Sequence, residues 1–344
     1  MKALRLKARR ELELAEVPEP VRGEGEILVA TRAVGLCGSD AHYYREGGIG
    51  GELCTYPQSI GHECAGEVVA CGPASEFKPG DRVAVEPGSP CGTCEHCVSG
   101  YHNRCPFVRF LGSPGMPGAL QERLSLPPSQ LARIPQTMHF PEATLLEPLG
   151  VALHAVTLAR LCPTESVVIY GSGPIGLLLL AVARACGAGP VIVMDKIRTR
   201  LDVASDRYGA SHTVDVNDTD PVEAVREITG GRGADAVFEA AGSARAIDWS
   251  LESARIGGRV MIVGIPDEDR VTVSPHTMRR KELRLINVRR SNRTLARSIA
   301  MVSQALVTLE GIVSHTYTLE QAPRAFDVVS GYRDGVIKAV IELN

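Results

Sequence analysis

The chain has 344 residues, more than one hydrophobic core usually serves, so two domains are expected. With 44% hydrophobic and 22% charged residues, 35 glycines and only 4% aromatics, it reads as an α/β fold with many tight turns and an aliphatic core. A formal net charge of −3 gives no basic footprint for nucleic acid or an anionic membrane, and neither partner is expected.

The opening stretch MKALRLKARRELELAEV carries basic residues but no apolar signal core and no small-residue cleavage site. The longest apolar run, IGLLLLAVA at 175–183, is far short of the roughly 20 residues of a membrane span. A cytoplasmic location is the resulting expectation. From about residue 25 to 90 the segments EILVATRAVG, GEVVACG and GDRVAVEPG read as short strands closed by glycine or proline. Within this region CGSDAHYY, 37–44, reads as a polar turn, and IGHECAGEVV places His62 and Glu63 between two strand-like segments.

CGTCEHCVSGYHNRC spaces Cys91, Cys94, Cys97 and Cys105 as C-x2-C-x2-C-x7-C. Ten cysteines in a reducing compartment point to metal rather than to five disulfides. Four thiolates form a closed tetrahedral set, which suits a structural zinc. An iron–sulfur cluster uses the same four ligands and stays open; a nucleic-acid zinc module fits poorly with the acidic charge. His96 and His102 read as solvated loop residues. The remaining thiols, Cys54, Cys64, Cys71, Cys162 and Cys186, read as small buried or loop residues.

From about 166 the text alternates: strand SVVIY, helix PIGLLLLAVARACGA, strand PVIVMD, helix TRLDVASDRYGA, then strands DAVFEAAG and GGRVMIVG. Such alternation predicts a parallel sheet with helices on both faces. VVIYGSGPIG sets Gly171, Gly173 and Gly176 as G-x-G-x-x-G between strand and helix, the context a dinucleotide site requires. Gly171 permits the tight turn, Gly173 the approach of a pyrophosphate, and Gly176 close helix–strand packing. Asp195 ends the next strand, placed to accept from adenosine ribose hydroxyls and to repel a 2′-phosphate. NAD is therefore favoured over NADP, with Lys196 and Arg200 softening the preference. After about 286 the pattern is mixed and ends in GVIKAVIEL.

Taken together, VGLCGSDAHYY, GHE, PGDRVAVEPG, the cysteine loop, EPLGVALHA with Glu147, GSGPIG and VRR resemble the zinc-dependent medium-chain dehydrogenases, most closely the sorbitol (polyol) dehydrogenase branch. The resemblance spans nearly the whole chain. It implies a GroES-like β-rich catalytic domain from 1–150 and 286–344, with a doubly wound Rossmann domain over 151–285 and the active site in the cleft. It implies two zincs per chain, one structural on the four-cysteine loop and one catalytic held by Cys37, His62, Glu63 and Glu147. Glu147 stands where alcohol dehydrogenases carry a cysteine, which makes the zinc harder and suits vicinal hydroxyls. A zinc-bound water falls in pKa from about 9 to about 7, and a bound alcohol should respond similarly before hydride leaves for the nicotinamide.

By the same resemblance Ser39 and His42 relay the proton, Asp40 orients His62, and Tyr43 touches substrate. Phe110 is a candidate pocket wall. The cofactor contacts implied are Gly171, Gly173, Ile175, Gly176, Asp195, Arg200, Val263, Gly264, Ile265, Val288 and Arg290, and Arg290 also meets substrate hydroxyls. Arg289 and Ser291 depart from the aromatic and tyrosine usual there, which leaves the polyol open and admits an acidic sugar. Oxidation of a sorbitol- or xylitol-like polyol to a ketose with NAD is expected, in a homotetramer or dimer paired through 257–273. The alternatives are L-threonine 3-dehydrogenase, L-idonate 5-dehydrogenase, a general secondary-alcohol dehydrogenase, and a non-catalytic NAD- or zinc-responsive binding protein.

Overall fold

A computed structural model describes residues 1–343 and divides into two compact units. One comprises Met1–Glu147, Leu295–Ser303 and the described residues from Val313 onward; the other comprises Pro148–Thr294 and Gln304–Ile312.

The first unit is β-rich. Its central strand, Ile27–Gly35, alternates buried and half-buried positions before ending in three consecutive buried residues, the period-two pattern of a pleated strand. It pairs antiparallel with Glu63–Ala70, Arg123–Leu126 and Lys338–Glu342. The sheet extends through Arg82–Val85 to Leu131–Arg133 on one side and through Val313–Thr318 on the other. Val313–Thr318 and Lys338–Glu342 run parallel, with the helix Ala322–Ser330 between them in sequence. The core gathers Leu4, Ile27, Val34, Ile60, Leu120 and Phe326.

In the second unit six parallel strands lie in the order His212–Asp215, Val191–Asp195, Val167–Tyr170, Ala234–Glu239, Ala254–Ile262, Arg284–Asn287. Val167–Tyr170 is buried at every residue, as a parallel strand covered on both faces must be. Strand order reverses there, which marks the point where open α/β sheets bind ligands. The helix Pro174–Ala185 opens on Pro174, whose missing N–H costs nothing in the first turn.

Two expectations change. CGSDAHYY is not a turn: Gly38–Glu46 is an α-helix with Cys37 as its N-cap and Gly47, at φ 73°, as its left-handed C-cap. Asp40 at the third helical position accepts from the Cys37 N–H at 2.9 Å, which satisfies an N-terminal donor and starts the helix. The return to the first unit falls later than 286, because Arg284–Asn287 pairs in register with Arg259–Ile262 and extends the parallel sheet. Within 257–273 only the part up to Ile262 is strand, hydrogen-bonded on both sides from Arg259 to Ile262, and 263–273 forms no strand. The edge strands of that sheet are His212–Asp215 and Arg284–Asn287. No described helix is long and apolar enough to cross a membrane.

Candidate active site

Strand pairing in the first unit brings distant residues to one point. Gly35 pairs with Glu63 and with Val340, so the exit of the central strand, the start of Glu63–Ala70 and the start of Lys338–Glu342 converge. One donor atom from each of Cys37, His62 and Glu63 lies within 4.8 Å of the others. Gly35 leaves the space for this: a Cβ there would sit 2.6 Å from a Glu63 carboxylate oxygen and 3.1 Å from the Lys338 side chain. Gly61 adopts φ 91° just before His62, a turn that only glycine makes cheaply.

Asp40 organises both ligand-bearing corners. It is fully buried and accepts from the backbone N–H groups of Cys37 (2.9 Å) and Gly61 (3.1 Å), while His62 Nδ1 lies 3.5 Å from its Oδ1. Burial alone would raise its pKa, but His62 and these backbone donors lower it. Burial would likewise lower that of His62, yet Asp40 and Cys37 raise it well above its ordinary value. Glu147 lies outside the three-donor cluster. Burial pushes its carboxyl up to about 8, with Glu63 and Glu86 adding to the shift and His62 opposing it. The Phe110 ring packs on His62, centroids 5.3 Å apart, and so backs a ligand.

Lys338 is the residue that sequence reasoning missed. It is buried, forms an ion pair with Glu63, and donates to the Leu36 carbonyl at 3.0 Å. Its pKa is raised: burial opposes its charge, and Glu63 and Cys37 outweigh burial. The signal was a lysine inside the otherwise apolar run VIKAVI. A carboxylate that faces both a buried ammonium and two metal-type donors fits a cation at this place, and the mixed S, N and O set suits zinc.

The remaining residues of the helix divide by face. Ser39 and His42, three apart, share one face and are half-buried. Tyr43 packs into the hydrophobic core, and so does Tyr44, whose hydroxyl donates to Asp327 at 3.1 Å and whose ring lies 5.2 Å from Phe326.

In the cysteine loop the four sulfurs of Cys91, Cys94, Cys97 and Cys105 lie within 4.8 Å of one another. Backbone N–H groups of Thr93 and Cys94 lower the Cys91 thiol to about 6, whereas burial pushes Cys97 up to about 12. Four converging soft donors, one already acidic, fit a closed metal site. His96 stands 3.7 Å from Glu95 and outside the sulfur set, and His102 opens the 3-10 turn that returns Cys105.

The second unit builds a nucleotide cradle at the carboxyl ends of its strands. Gly171 has φ 95°, and a Cβ at Gly176 would collide with the Gly171 carbonyl oxygen. A Cβ at Gly173 would meet only the Arg200 guanidinium, at 3.5 Å, so the space over this turn suits a pyrophosphate. Ile175 follows in the first turn of the helix Pro174–Ala185. Asp195 ends its strand and accepts from Ser172. Val263 and Gly264 donate to the Glu239 carbonyl at 2.8 and 2.9 Å, Ile265 is exposed, and Val288 donates to Ile262 at 2.8 Å. These segments therefore sit at the same end of the sheet as the glycine turn. Arg290 holds a left-handed φ of 55°, and Arg289 is exposed.

Residues 23–136 match the family described as Alcohol dehydrogenase GroES-like domain, and 174–304 the one described as Zinc-binding dehydrogenase. Sorbitol dehydrogenase of Bacillus subtilis (strain 168) is 36% identical over 345 residues, covering 100% of this chain and 98% of that protein. Among solved structures, an Escherichia coli oxidoreductase of unknown specificity matches with a TM-score of 0.94 at 33% identity, covering 100% of this chain and 99% of its own. A Sinorhizobium meliloti 1021 protein bound to NADP matches at 0.91 and 31%, covering 99% of each chain. The chain thus belongs to the zinc-dependent medium-chain dehydrogenases, in their sorbitol (polyol) dehydrogenase branch, and is an oxidoreductase.

Proposed function

We propose that the chain oxidises a secondary hydroxyl of a sorbitol- or xylitol-like polyol to the ketose and passes the hydride to NAD. The observation that carries this reading is the cluster of one thiol, one imidazole and one carboxylate within 4.8 Å, with a further half-buried carboxyl at Glu147. The similarity to a sorbitol dehydrogenase supports the polyol as substrate.

In this reading Cys37 and His62 hold the catalytic zinc, with Glu63 and Glu147 as its oxygen partners. Bound zinc supplies a Lewis acid that makes a nearby hydroxyl more acidic. Asp40 holds the His62 ring through Nδ1 and leaves the other ring nitrogen for metal. Lys338 neutralises Glu63 and keeps its carboxylate in place. Ser39 and His42 carry the hydroxyl proton away, Tyr43 borders the substrate, and Arg290 contacts its distal hydroxyls. Asp195 receives the adenosine ribose, while Gly173 and Arg200 border the pyrophosphate. Cys91, Cys94, Cys97 and Cys105 hold a structural zinc. A homotetramer or dimer belongs to the same reading, supported by the open edge strand Arg284–Asn287 with its exposed Leu285.

The test is a panel of sorbitol, xylitol, L-threonine, L-idonate and simple secondary alcohols, assayed on zinc-loaded protein with NAD and NADP. The reading expects the highest kcat/KM on a polyol with NAD. Absence of turnover on every polyol, or a preference for threonine, contradicts it.

A further inference from the structure

We infer that Ser172, the residue between the first two glycines of the phosphate-binding turn, limits how strongly Asp195 selects NAD over NADP. The inference rests on the dinucleotide site proposed above. Asp195 is the residue expected to grip the ribose, yet most of its acceptor capacity is already used. Its Oδ2 accepts from the Ser172 N–H at 2.6 Å and from the Ser172 hydroxyl at 3.0 Å, and its Oδ1 accepts from the Ile197 N–H at 2.9 Å. A carboxylate offers about four acceptor positions, so about one is left, on Oδ1. A two-point grip on the vicinal ribose hydroxyls needs two.

The Ser172 hydroxyl cannot make up the difference, because the residue is fully buried and its proton is committed to Asp195. By donating to the carboxylate it also offsets part of the negative charge that would repel a 2′-phosphate. Cations stand close by in sequence. Arg200 is buried beside Gly173, and Lys196 and Arg198 are exposed in the segment that follows Asp195. A blunted carboxylate flanked by cations discriminates weakly against the phosphorylated cofactor.

Removing the hydroxyl separates its effect from that of the backbone. Ser172→Ala keeps the 2.6 Å backbone donor, and Ile197 keeps its own, so the carboxylate stays in place and regains one acceptor position. Direct binding titrations of the zinc-loaded, full-length protein with NAD and with NADP test this without relying on turnover. In Ser172→Ala and in Ser172→Gly the ratio Kd(NADP)/Kd(NAD) should rise by about three- to tenfold, the scale of the net contribution of one hydrogen bond. Wild type itself should bind NADP no more than about tenfold more weakly than NAD. An unchanged or smaller ratio in variants with a native circular-dichroism spectrum overturns the inference, as does a strict NAD preference in wild type. If wild type binds neither dinucleotide, the proposed cofactor site fails, and the inference falls with it.

Discussion

Lys338 and Glu63 form a buried ion pair beside two metal-type donors, and each charge is tolerable only because of the other. The third neighbour, Gly35, leaves room for both side chains, since its place in the strand is otherwise that of any small residue. Lys338→Met should therefore leave Glu63 as an unpaired buried charge and cost about 3–5 kcal/mol of stability. Urea denaturation of metal-depleted and zinc-loaded protein measures it. Zinc should return part of the loss by giving Glu63 a second cationic partner. A cost under about 1 kcal/mol in both forms would mean that Glu63 does not depend on Lys338. The four sequence-predicted donors illustrate what residue-level reading reaches. Cys37, His62 and Glu63 are brought together, whereas Glu147 stands outside their cluster with a carboxyl raised to about 8 by burial. Sequence names ligand types; the depth of burial that sets their charge state comes from packing.

At the scale of elements, the helix Gly38–Glu46 positions the site. Its first turn carries Ser39, Asp40 and Ala41, and its last turn is anchored by Tyr44 on Asp327 of the helix Ala322–Ser330, 283 residues away. This is why CGSDAHYY is illegible as a helix: its residues have weak helical propensity and no apolar periodicity. Its stability derives from Asp40 at the N-terminus and from a partner far along the chain. By contrast, the glycine-rich turn was legible because its requirements are local. Gly171 needs a positive φ, and Gly176 needs the absence of a Cβ. The alternation of strands and helices was legible for the same reason, whereas the late boundary at Thr294 depends on pairing of Arg284–Asn287 with a strand that only the folded sheet supplies. Asp40→Ala should remove the acceptor for the Cys37 and Gly61 N–H groups and the partner of His62 in one step. Zinc affinity at the catalytic site should fall by about 10–100-fold, read by competition with a chelator. An unchanged affinity would show that the three donors are positioned without Asp40.

Across the whole molecule, each unit carries a buried polar network of its own. In the second unit Asp235 accepts from the Ser166 N–H and hydroxyl, from Arg232 and from Arg255, tying the entries of the strands Val167–Tyr170 and Ala234–Glu239 to the start of Ala254–Ile262. Hydrogen bonds from Arg232 lower its pKa most, and those from Ser166 and Arg255 add to this against the opposing effect of burial. Because the folded-state pKa is depressed, the folded protein binds fewer protons than the unfolded chain over the range between the two values. The stabilisation is complete above the ordinary carboxylate pKa of about 4 and is lost as pH falls through the depressed value. Asp235→Asn should cost about 2–4 kcal/mol at neutral pH. In denaturation series the gap to wild type should begin to narrow below about pH 4 and keep narrowing toward the depressed value. A gap that stays constant with pH would assign the loss to shape rather than charge.

The first unit gathers metal-type donors at two clusters, one of four thiols and one formed by Cys37, His62 and Glu63. The most direct measurement of their proposed roles is the zinc content of wild type and of Cys37→Ala, with NAD affinity determined on the same samples. The account predicts about two zincs per chain in wild type and about one in the variant, with dichroism and NAD affinity unchanged. Two zincs retained in a folded Cys37→Ala protein would contradict it.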